Sequence, residues 1–481
     1  MKRLFLLFML TAAVAQTAPQ APRNYPEPKP GDFTVKAFKF KTGEQMDVRM
    51  HYYTVGTPVK DASGKVTNAV LILHGTGGSG RSLLVPSFAG ALFCPGCLLD
   101  GTKYFIVSPD NVGHSGSSKP SDGMKMSFPK YDYDDMVALQ HDMLEGMGVN
   151  HLRLVMGTSM GCMHSWVWTE NYPDFMDAAM PLACLPTEIA GRNRMWRKMV
   201  IEDIKNDPAW NNGNYAQEPQ DGLRAAEDLL LLVGTTPLVA QKQAPTRAAA
   251  DAVIEQRIPA AMSRVDANDM LYYVDASRNY NPEPKLSTVK VPVMQVNTAD
   301  DFINPPELGI LERLIRNVPK GRAVVLPISD ATRGHGSHTI AALWGNYLAD
   351  LLQQSGGLLP GTSWTAPPSA QPRPAGASAP MASPTGVYTV GNGVSAPRKL
   401  FGTEPSYTDS ARQRKIQGTV VVQAIIGPDG LVQNVRVTKA LEPSLDESAV
   451  NTIKSWRFEP GTKDGKPVAV AVYIESNFRL Y

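Results

Sequence analysis

Ser159 stands between Gly157 and Gly161 in the sequence GTSMG, directly after the apolar segment LRLVM. A segment this short and apolar predicts a buried strand. At a sharp turn from a strand into a helix, a serine is presented to a substrate, and flanking glycines let neighbouring backbone come close. The pattern predicts that Ser159 is a nucleophile at such an elbow, although a polar turn without chemistry would use the same residues.

A nucleophilic serine requires a histidine as its base and a carboxylate that orients the histidine. Asp300 and Asp301 follow the apolar segment VPVMQVN, while His335 and His338 follow the segment RAVVLPIS. Loops after neighbouring parallel strands meet at one edge of a sheet, so both kinds of side chain can reach the serine. We therefore predict a Ser-His-Asp triad in the chain order serine, aspartate, histidine.

Two backbone N–H groups are expected to bind the oxyanion that forms when the serine attacks an acyl carbon. Met160, the residue after the serine, supplies one of them. The loop HGTGG at residues 74–78 supplies the other, from Thr76 or Gly77. Together such donors lower the reaction barrier by about 3 kcal/mol or more.

Buried strands alternate with helical segments over residues 33–353, which predicts a doubly wound parallel sheet of the α/β class. The segments NAVLILHGTGG and KYFIVSPDNVG each join an apolar run to a glycine-containing loop, and YDYDDMVALQHDML has helical spacing. The segment HTIAALWGNYLADLLQQ predicts a closing helix. From about residue 187 to 286 the sequence is polar and helical, which predicts a lid inserted over the sheet.

The segments on either side of this domain differ from it in composition. Residues 1–15 combine a basic start, a short apolar run and a small-residue cleavage site, which predicts a secretory signal peptide and an exported, periplasmic protein. An uncleaved membrane anchor is the alternative. Residues 16–32 are rich in Pro and Gln and predict a mobile tail, and residues 354–396, rich in Pro, Ala and Ser, predict a linker.

The pattern of strands and a helix over residues 397–481 predicts a second, smaller domain. The segment GTVVVQAIIGPDGLVQNVRV indicates two strands around a turn, SLDESAVNTIKSWRF an amphipathic helix, and VAVAVYIESNF a final strand. No cluster of titratable residues in this domain suggests catalysis. The net charge of +2 for the chain gives no reason to expect nucleic-acid binding.

The chain has four cysteines. Cys94 and Cys97 lie in the sequence CPGC, and export would allow a disulfide between them. A redox motif would need a thioredoxin-like pattern around it, and a zinc site would need a second cysteine pair. Cys162 and Cys184 stand in apolar surroundings and are expected to be buried and unpaired. No metal or cofactor is predicted.

Residues of about 35–353 resemble the homoserine O-acetyltransferase branch of the α/β-hydrolase superfamily. The resemblance lies in KYFIVSPDNVGHSGSSKP, YDYDDMVALQHDML, RLVMGTSMGCMHSWVWTENYPD, IKNDPAWNNGNY and DDFINPPE. It implies an α/β-hydrolase fold with Ser159 as the nucleophile and His335 as the base. It favours Asp301 over Asp300 as the acid, because the family's acid lies four residues before a proline, here Pro305.

Three positions depart from that family's pattern. Cys162 stands where the family has a second glycine after the elbow, His164 replaces a glutamine, and Gly336 replaces the aspartate after the catalytic histidine. An exported protein also meets no supply of acetyl-CoA, so hydrolysis of an ester or a similar small acyl compound is favoured over acetyl transfer. An O-acyltransferase of this type and a non-catalytic transport accessory protein are the alternatives.

Residues 397–481 resemble the C-terminal domain of TonB-type energy transducers, in PSYTDSARQRKIQGTVVV, IGPDGLVQNVRV, LDESAVNTIKSWRFEP and Phe478. The resemblance implies a small α+β domain whose open sheet edge accepts a strand from an outer-membrane or other envelope protein. A stabilising appendage without a partner is the alternative. The sequence yields no prediction of the oligomeric state.

Overall fold

The structure, a computed structural model, describes residues 23–365, 388–389, 394–401 and 405–478. The chain divides into two compact units, Met1–Pro374 and Ala375–Tyr481. The predicted signal peptide at 1–15, residues 16–22 of the predicted tail and most of the predicted linker lie outside the described residues.

The first unit is built on a sheet of eight strands in the order β1-β2-β4-β3-β5-β6-β7-β8. The strands are β1 (Lys29–Lys39), β2 (Gln45–Val55), β3 (Ala69–Leu73), β4 (Phe105–Pro109), β5 (Leu154–Thr158), β6 (Ala179–Leu182), β7 (Val293–Thr298) and β8 (Gly321–Leu326). From β4 to β8 all neighbouring strands are parallel, whereas β2 runs antiparallel to β1 and β4.

Both faces of this sheet are covered, as the short apolar strands predict. Along β3, Leu71 and Leu73 join one hydrophobic core while Val70 and Ile72 join the other. Helices α2 and α3 contribute to the first core, and α1 and α10 to the second. The helices outside the insertion are α1 (Ala89–Leu92), α2 (Tyr133–Gly146), α3 (Met160–Asn171), α9 (Ile310–Leu314) and α10 (Gly345–Gln354).

Five helices between β6 and β7 form the insertion that the sequence predicted as a lid. They are α4 (Gly191–Asn206), α5 (Gln220–Val233), α6 (Pro237–Gln243), α7 (Arg247–Met262) and α8 (Ala267–Asp275). The insertion has a core of its own, in which Trp196 and Val200 of α4 meet Leu223 of α5 and Met270 and Val274 of α8. The insertion is therefore a packed subdomain and not a set of loose loops.

Three segment predictions are wrong at their boundaries. The tail predicted for 16–32 does not reach residue 32, because Tyr25 packs edge-on against Phe93 at 5.7 Å and β1 begins at Lys29. The closing helix begins at Gly345 and not at residue 338, where short 3-10 turns stand. The predicted linker begins too early, because Trp364 still packs on the core of the first unit. In each case long-range packing decides the boundary, which local composition does not reveal.

The second unit has a sheet in the order β12-β11-β16-β9 with a helix packed on it. Its elements are β9 (Tyr388–Thr389), β10 (Arg398–Phe401), α11 (Asp409–Gln413), β11 (Gly418–Ile426), β12 (Val432–Lys439), α12 (Pro443–Lys454), β13 (Arg457–Glu459), β14 (Thr462–Lys463), β15 (Lys466–Pro467) and β16 (Val470–Phe478). Leu445, Ala449 and Ile453 of α12 and the following Trp456 fill its core. In the part of the chain that the structure describes, no helix is long and apolar enough to cross a membrane.

Candidate active site

Ser159 occupies a strained turn between β5 and α3. Its φ of 55° and ψ of −110° lie outside the regions that residues with a side chain favour. A Cβ on Gly157 would lie 2.1 Å from the carbonyl oxygen of Gly161, and a Cβ on Gly161 would lie 2.2 Å from that of Leu73. Glycine is therefore required on both sides of the serine, and the spacing in the sequence follows from this close approach of backbones.

The side chains of Ser159, His335 and Asp301 are joined by two hydrogen bonds. Nε2 of His335 lies 2.8 Å from Oγ of Ser159, and Nδ1 lies 2.9 Å from Oδ2 of Asp301. The three residues follow β5, β8 and β7 respectively. Because these strands are parallel, their carboxyl ends bring side chains together that are up to 176 residues apart in the chain.

Asp301 is 1% exposed and accepts three hydrogen bonds. Besides the ring of His335, the backbone N–H of Ile303 donates to Oδ1 at 2.8 Å and the amide of Asn304 donates to Oδ2 at 3.1 Å. Burial opposes ionisation of Asp301, but the positive charge that His335 can carry and these hydrogen bonds outweigh it and lower the pKa. Asp301 is thus held as a carboxylate that can orient and stabilise an imidazolium.

The two alternative residues of the sequence analysis lie beside the triad but do not take part in this chain of hydrogen bonds. Oδ2 of Asp300 accepts from the backbone N–H of Gly334 at 3.0 Å and so braces the loop that carries His335. The ring of His338 lies edge-on to that of His335, with centroids 5.1 Å apart. Burial and the neighbouring His335 lower the pKa of His338 to about 3, so it is neutral at physiological pH.

The backbone N–H groups of Met160 and Thr76 are the candidate oxyanion donors beside Ser159. Met160 is the first residue of α3, so its N–H has no acceptor within the helix. Thr76 lines the same cavity as Ser159, whereas Gly77 lines a different one. Of the two residues predicted for the second donor, Thr76 is thus the one that lines the cavity at Ser159.

His74 fixes the direction of the Thr76 N–H. Nε2 of His74 accepts from the backbone N–H of Asn111 at 3.1 Å, so Nδ1 carries the proton and donates to the carbonyl of Gly75 at 2.8 Å. Burial lowers the pKa of His74, which keeps this neutral tautomer. Because the C=O and N–H of a trans peptide point in opposite directions, holding the Gly75 carbonyl holds the Thr76 N–H.

A cavity of about 930 Å³ opens in front of Ser159 between the sheet edge and the lid. Most of its wall is apolar, from Met163, Leu185, Ile189, Trp196, Leu230, Val233, Ile303, Leu308 and Ile310. Besides Ser159 and His335, the polar side chains at its wall are Thr76, Thr187, Glu188, Arg192, Asn193, Arg197, Asn304, Glu307, Arg313 and His338. A cavity of this size and lining fits a small organic acyl compound.

Two disulfides are present, and one of them corrects the sequence analysis. Cys94 and Cys97 are bonded to each other. Cys162 and Cys184, which we expected to be unpaired, also form a disulfide. The partners lie 22 residues apart, on α3 and on the loop after β6, and only the fold brings their Cα atoms to 5.8 Å. An even number of cysteines in a chain predicted to be exported was the one available signal.

Sequence reasoning also missed Asn304. Its amide donates both to Asp301 and to the backbone carbonyl of Ala183, each at 3.1 Å. Ala183 has a φ of 65°, which is unusual for a residue with a side chain, and it lines the cavity. Asn304 lies in DDFINPPE, three residues after Asp301, but nothing in that sequence indicates a partner in the loop after β6.

Among the described residues, one group could share a metal ion: His141, Asp142 and Glu145 on α2. His141 is stacked on Tyr172, with ring centroids 3.9 Å apart. None of the three lines the cavity at Ser159. The hydrogen-bonded chain at Ser159 therefore has no ion-binding group beside it among the described residues.

Family models match both units. A model described as alpha/beta hydrolase fold matches residues 68–338, more than half of the chain, and one described as Gram-negative bacterial TonB protein C-terminal matches residues 403–480. The chain belongs to the alpha/beta hydrolase fold family. The predicted fold class of the first unit is thereby confirmed, and the small sheet domain of the second agrees with its TonB C-terminal match.

Curated relatives of this hydrolase include acyltransferases. A probable acyltransferase of Methanothermobacter thermautotrophicus is 28% identical over 309 residues, which cover 63% of this chain and 91% of that protein. A homoserine O-acetyltransferase of Haemophilus influenzae is 28% identical over 312 residues, which cover 57% of this chain and 84% of that protein. These similarities confirm the resemblance found in the sequence and support an enzyme of the alpha/beta hydrolase superfamily.

Solved structures with the same fold include both transferases and esterases. A homoserine O-acetyltransferase from Bacillus anthracis superposes with a TM-score of 0.61 at 21% identity, over 69% of this chain and 99% of that one. Esterase E22 superposes with a TM-score of 0.60 at 20% identity, over 68% and 100%. At these identities the likeness concerns the fold alone, which therefore supports either reaction.

Proposed function

We propose that this protein is an exported serine hydrolase that cleaves esters or related small acyl compounds. The observation that carries the proposal is the chain of hydrogen bonds from Asp301 through His335 to Ser159 at a strained elbow facing a cavity. Serine is a weak nucleophile by itself, and a histidine base within hydrogen-bond reach is what activates it. The second unit is proposed as a module that binds another protein.

The first half of the reaction forms an acyl-enzyme. Nε2 of His335 accepts the hydroxyl proton of Ser159 as Oγ attacks the acyl carbon, and Asp301 stabilises the resulting imidazolium through Nδ1–H. The oxyanion accepts hydrogen bonds from the N–H groups of Met160 and Thr76. When the tetrahedral intermediate collapses, the bond to the leaving alcohol breaks and His335 gives that alcohol its proton.

The second half returns the free enzyme. A water molecule takes the place of the alcohol, gives its proton to His335 and attacks the acyl carbon. The same two N–H groups bind the second oxyanion. Collapse breaks the bond to Oγ of Ser159, which regains its proton from His335, and the carboxylic acid leaves.

Hydrolysis is favoured over transfer by two observations from the chain. The N-terminal sequence predicts export to a compartment without acetyl-CoA. Gly336 follows His335 where the resembling transferases have an aspartate, so the sequence departs from the transferase pattern directly beside the base. Acyl transfer is the second candidate function, and it is favoured by the similarity to an acyltransferase and to homoserine O-acetyltransferases.

The test is turnover of a panel of short esters by the mature protein, with acetyl-CoA and homoserine assayed in parallel. We expect release of acid from simple esters and no O-acetylhomoserine. Replacing Ser159 by Ala should reduce turnover by about 10⁴-fold or more and abolish labelling by a fluorophosphonate. Efficient formation of O-acetylhomoserine would reverse the choice between the two reactions.

Ser165 offers a matched control on the same helix. It is fully buried, and its hydroxyl donates to the carbonyl of Gly161 at 2.8 Å, outside the cavity. Ser165→Ala should keep both labelling and turnover. Labelling that survives Ser159→Ala, or is lost in Ser165→Ala alone, would contradict the assignment of Ser159.

The proposed binding role of the second unit rests on its TonB C-terminal match and on its sheet. Among the described strands, β12 stands at one end of the sheet and pairs only with β11. An open strand edge can accept an extended segment of a partner, such as an outer-membrane or other envelope protein. The residues that line the cavity at Ser159 all belong to the first unit.

Truncation separates the two roles. A chain that ends after Pro374 retains the packed residues up to Trp364 and the whole cavity, so its ester turnover should match that of the full chain. Residues 397–481 alone should fold around α12 and give a cooperative unfolding transition. A large loss of turnover on truncation would contradict the division of labour.

A further inference from the structure

A chain of four buried side chains, joined by hydrogen bonds, ends at the carbonyl of Gly75 in the loop after β3. Its members are Trp168 of α3, Gln140 of α2, Asn111 in the loop after β4, and His74 in the loop after β3. All four are fully buried, and none lines the cavity at Ser159. A buried polar network is costly unless all its groups are hydrogen-bonded, so its presence here requires an explanation.

Every hydrogen bond along this chain is donated in the same direction. The indole N–H of Trp168 donates to Oε1 of Gln140 at 2.7 Å, and Nε2 of Gln140 donates to Oδ1 of Asn111 at 2.5 Å. Nδ2 of Asn111 donates to Nε2 of His74 at 3.0 Å, and Nδ1 of His74 donates to the carbonyl of Gly75 at 2.8 Å. Because an indole N–H only donates, the amide oxygen of Gln140 faces Trp168 and its NH2 group faces Asn111. The orientation of Gln140 thereby sets that of the next amide and, through it, that of the ring of His74.

Gly75, at the end of this chain, lies against the nucleophile. A Cβ on Gly75 would lie 3.3 Å from Cβ and 3.9 Å from Oγ of Ser159. The peptide bond that contains the Gly75 carbonyl also carries the N–H of Thr76. Two groups hold this carbonyl, the ring of His74 and the backbone N–H of Gly78 at 3.0 Å. A rotation of the His74 ring would remove one of them and change the surroundings of Ser159.

We propose that Gln140 is a positioning residue for the reaction, which holds the loop at Gly75 in place through Asn111 and His74. The inference rests on the proposed function, because the reaction it concerns is the one at Ser159. Gln140 does not line the cavity and transfers no proton. Without its amide, Oδ1 of Asn111 has no donor among the described residues. The Asn111 side chain is then free to rotate, and Nε2 of His74 loses one of the two N–H groups that donate to it.

Gln140→Met tests the inference, because it removes the amide and keeps an unbranched side chain of similar length. We expect kcat for ester hydrolysis to fall by roughly 10- to 100-fold, as a displacement of about 1 Å far from the chemistry can cause. KM should change little, because the wall of the cavity is intact. The melting temperature should also fall, since the indole N–H of Trp168 loses its acceptor.

A second variant separates positioning from stability. Adding Trp168→Phe to Gln140→Met removes the indole N–H that the first change leaves unpaired. The melting temperature of the double variant should therefore recover in part, whereas kcat should stay low because Asn111 still has no donor.

Asn68→Leu is the matched control at the start of β3, at the opposite end of this strand from Gly75. Asn68 is also a buried amide with three hydrogen bonds, from the N–H of Val59 and to the carbonyls of Thr57 and Lys103. Its loss should lower the melting temperature and leave kcat unchanged. If kcat instead follows the melting temperature through all these variants, Gln140 has only a structural role and the inference is wrong.

Ser159→Ala, measured in parallel, distinguishes this inference from the proposed function. If Ser159→Ala abolishes turnover while Gln140→Met leaves kcat unchanged, the positioning role is wrong and the hydrolase stands. If turnover survives Ser159→Ala, the proposed function fails and the positioning role fails with it.

Discussion

Replacing Asn304 by Leu should destabilise the ionised form of Asp301 and slow the reaction. The amide of Asn304 is 4% exposed and donates to Oδ2 of Asp301 and to the carbonyl of Ala183. Leucine has the same branched arrangement of heavy atoms but is bulkier and has no donor. Both acceptors stay buried and each loses one hydrogen bond.

The magnitude follows from the two bonds. A hydrogen bond to a charged group contributes about 1.5–3 kcal/mol and one to a neutral carbonyl about 0.5–1.5 kcal/mol. Burial of the leucine side chain offsets roughly 1.5–2 kcal/mol of their loss. The free energy of unfolding of the first unit should therefore fall by about 1.5 kcal/mol at pH 7, the centre of a range of roughly 0–3 kcal/mol.

The pH dependence gives the sharper test. The folded-state pKa of Asp301 is lowered, so the ionised carboxylate contributes stability above its unfolded pKa, and this contribution is lost as the pH falls through the folded pKa. Asn304→Leu raises the folded pKa of Asp301 toward the unfolded value. The stability difference between Asn304→Leu and the original chain should thus be largest at neutral pH and shrink below about pH 4.

Asn297→Leu is the matched control, because Asn297 is equally buried and its amide donates to the neutral carbonyl of Cys184 at 3.0 Å. Urea unfolding of both variants at pH 7 and pH 3 measures the effect. Only for Asn304→Leu should the loss of unfolding free energy relative to the original chain depend on pH. Asn304→Leu should also lower kcat/KM by about 10- to 100-fold, because His335 is then misoriented. Equal pH dependence in the two variants would refute the role assigned to Asn304.

Two further predictions concern the backbone and the cysteines around the nucleophile. Gly161→Ala should lower the free energy of unfolding by roughly 1–3 kcal/mol or more and lower turnover, because its Cβ would lie 2.2 Å from the carbonyl oxygen of Leu73. Gly90→Ala is the control: its Cβ would meet nothing closer than 3.5 Å, so its thermal melt should match that of the original chain. Replacing Cys162 and Cys184 together by Ser should cost about 3 kcal/mol in urea unfolding, since the bridge closes a loop of 22 residues. The same change in CPGC should cost roughly half as much, and an equal cost would contradict the loop-length reasoning.

The sequence predicted the fold of the first unit well where single residues are fixed by local geometry. Gly157 is required by its contact with Gly161 inside the elbow and Gly161 by its contact with Leu73 of β3, yet both glycines flank Ser159, so the pattern is visible in a short segment. Strands such as β3 and β5 are buried on both faces, which makes them continuous apolar runs. The chain order of serine, aspartate and histidine then follows from the order in which parallel strands end.

The sequence did not predict features that depend on distant partners. Whether Asp300 or Asp301 faces His335 was decided by a family resemblance, because both follow the same strand. The disulfide between Cys162 and Cys184 joins two apolar segments that each look like ordinary core. The 3-10 turns before Gly345 replace a predicted helix because residues 336–343 follow the constraints of the loop that carries His335 and not their own spacing.

The Cys162–Cys184 disulfide and the hydrogen bond from Asn304 both end on the loop after β6. In the sheet, β6 lies between β5, which precedes the nucleophile, and β7, which precedes the acid. The disulfide from Cys184 attaches this loop to α3, three residues after Ser159. The carbonyl of Ala183 receives the amide of Asn304, which also holds Asp301. The loop therefore connects the helix behind the nucleophile to the loop of the acid. The two connections end on the adjacent residues Ala183 and Cys184. A change at either residue should therefore alter the distance between Ser159 and Asp301, which the ring of His335 bridges.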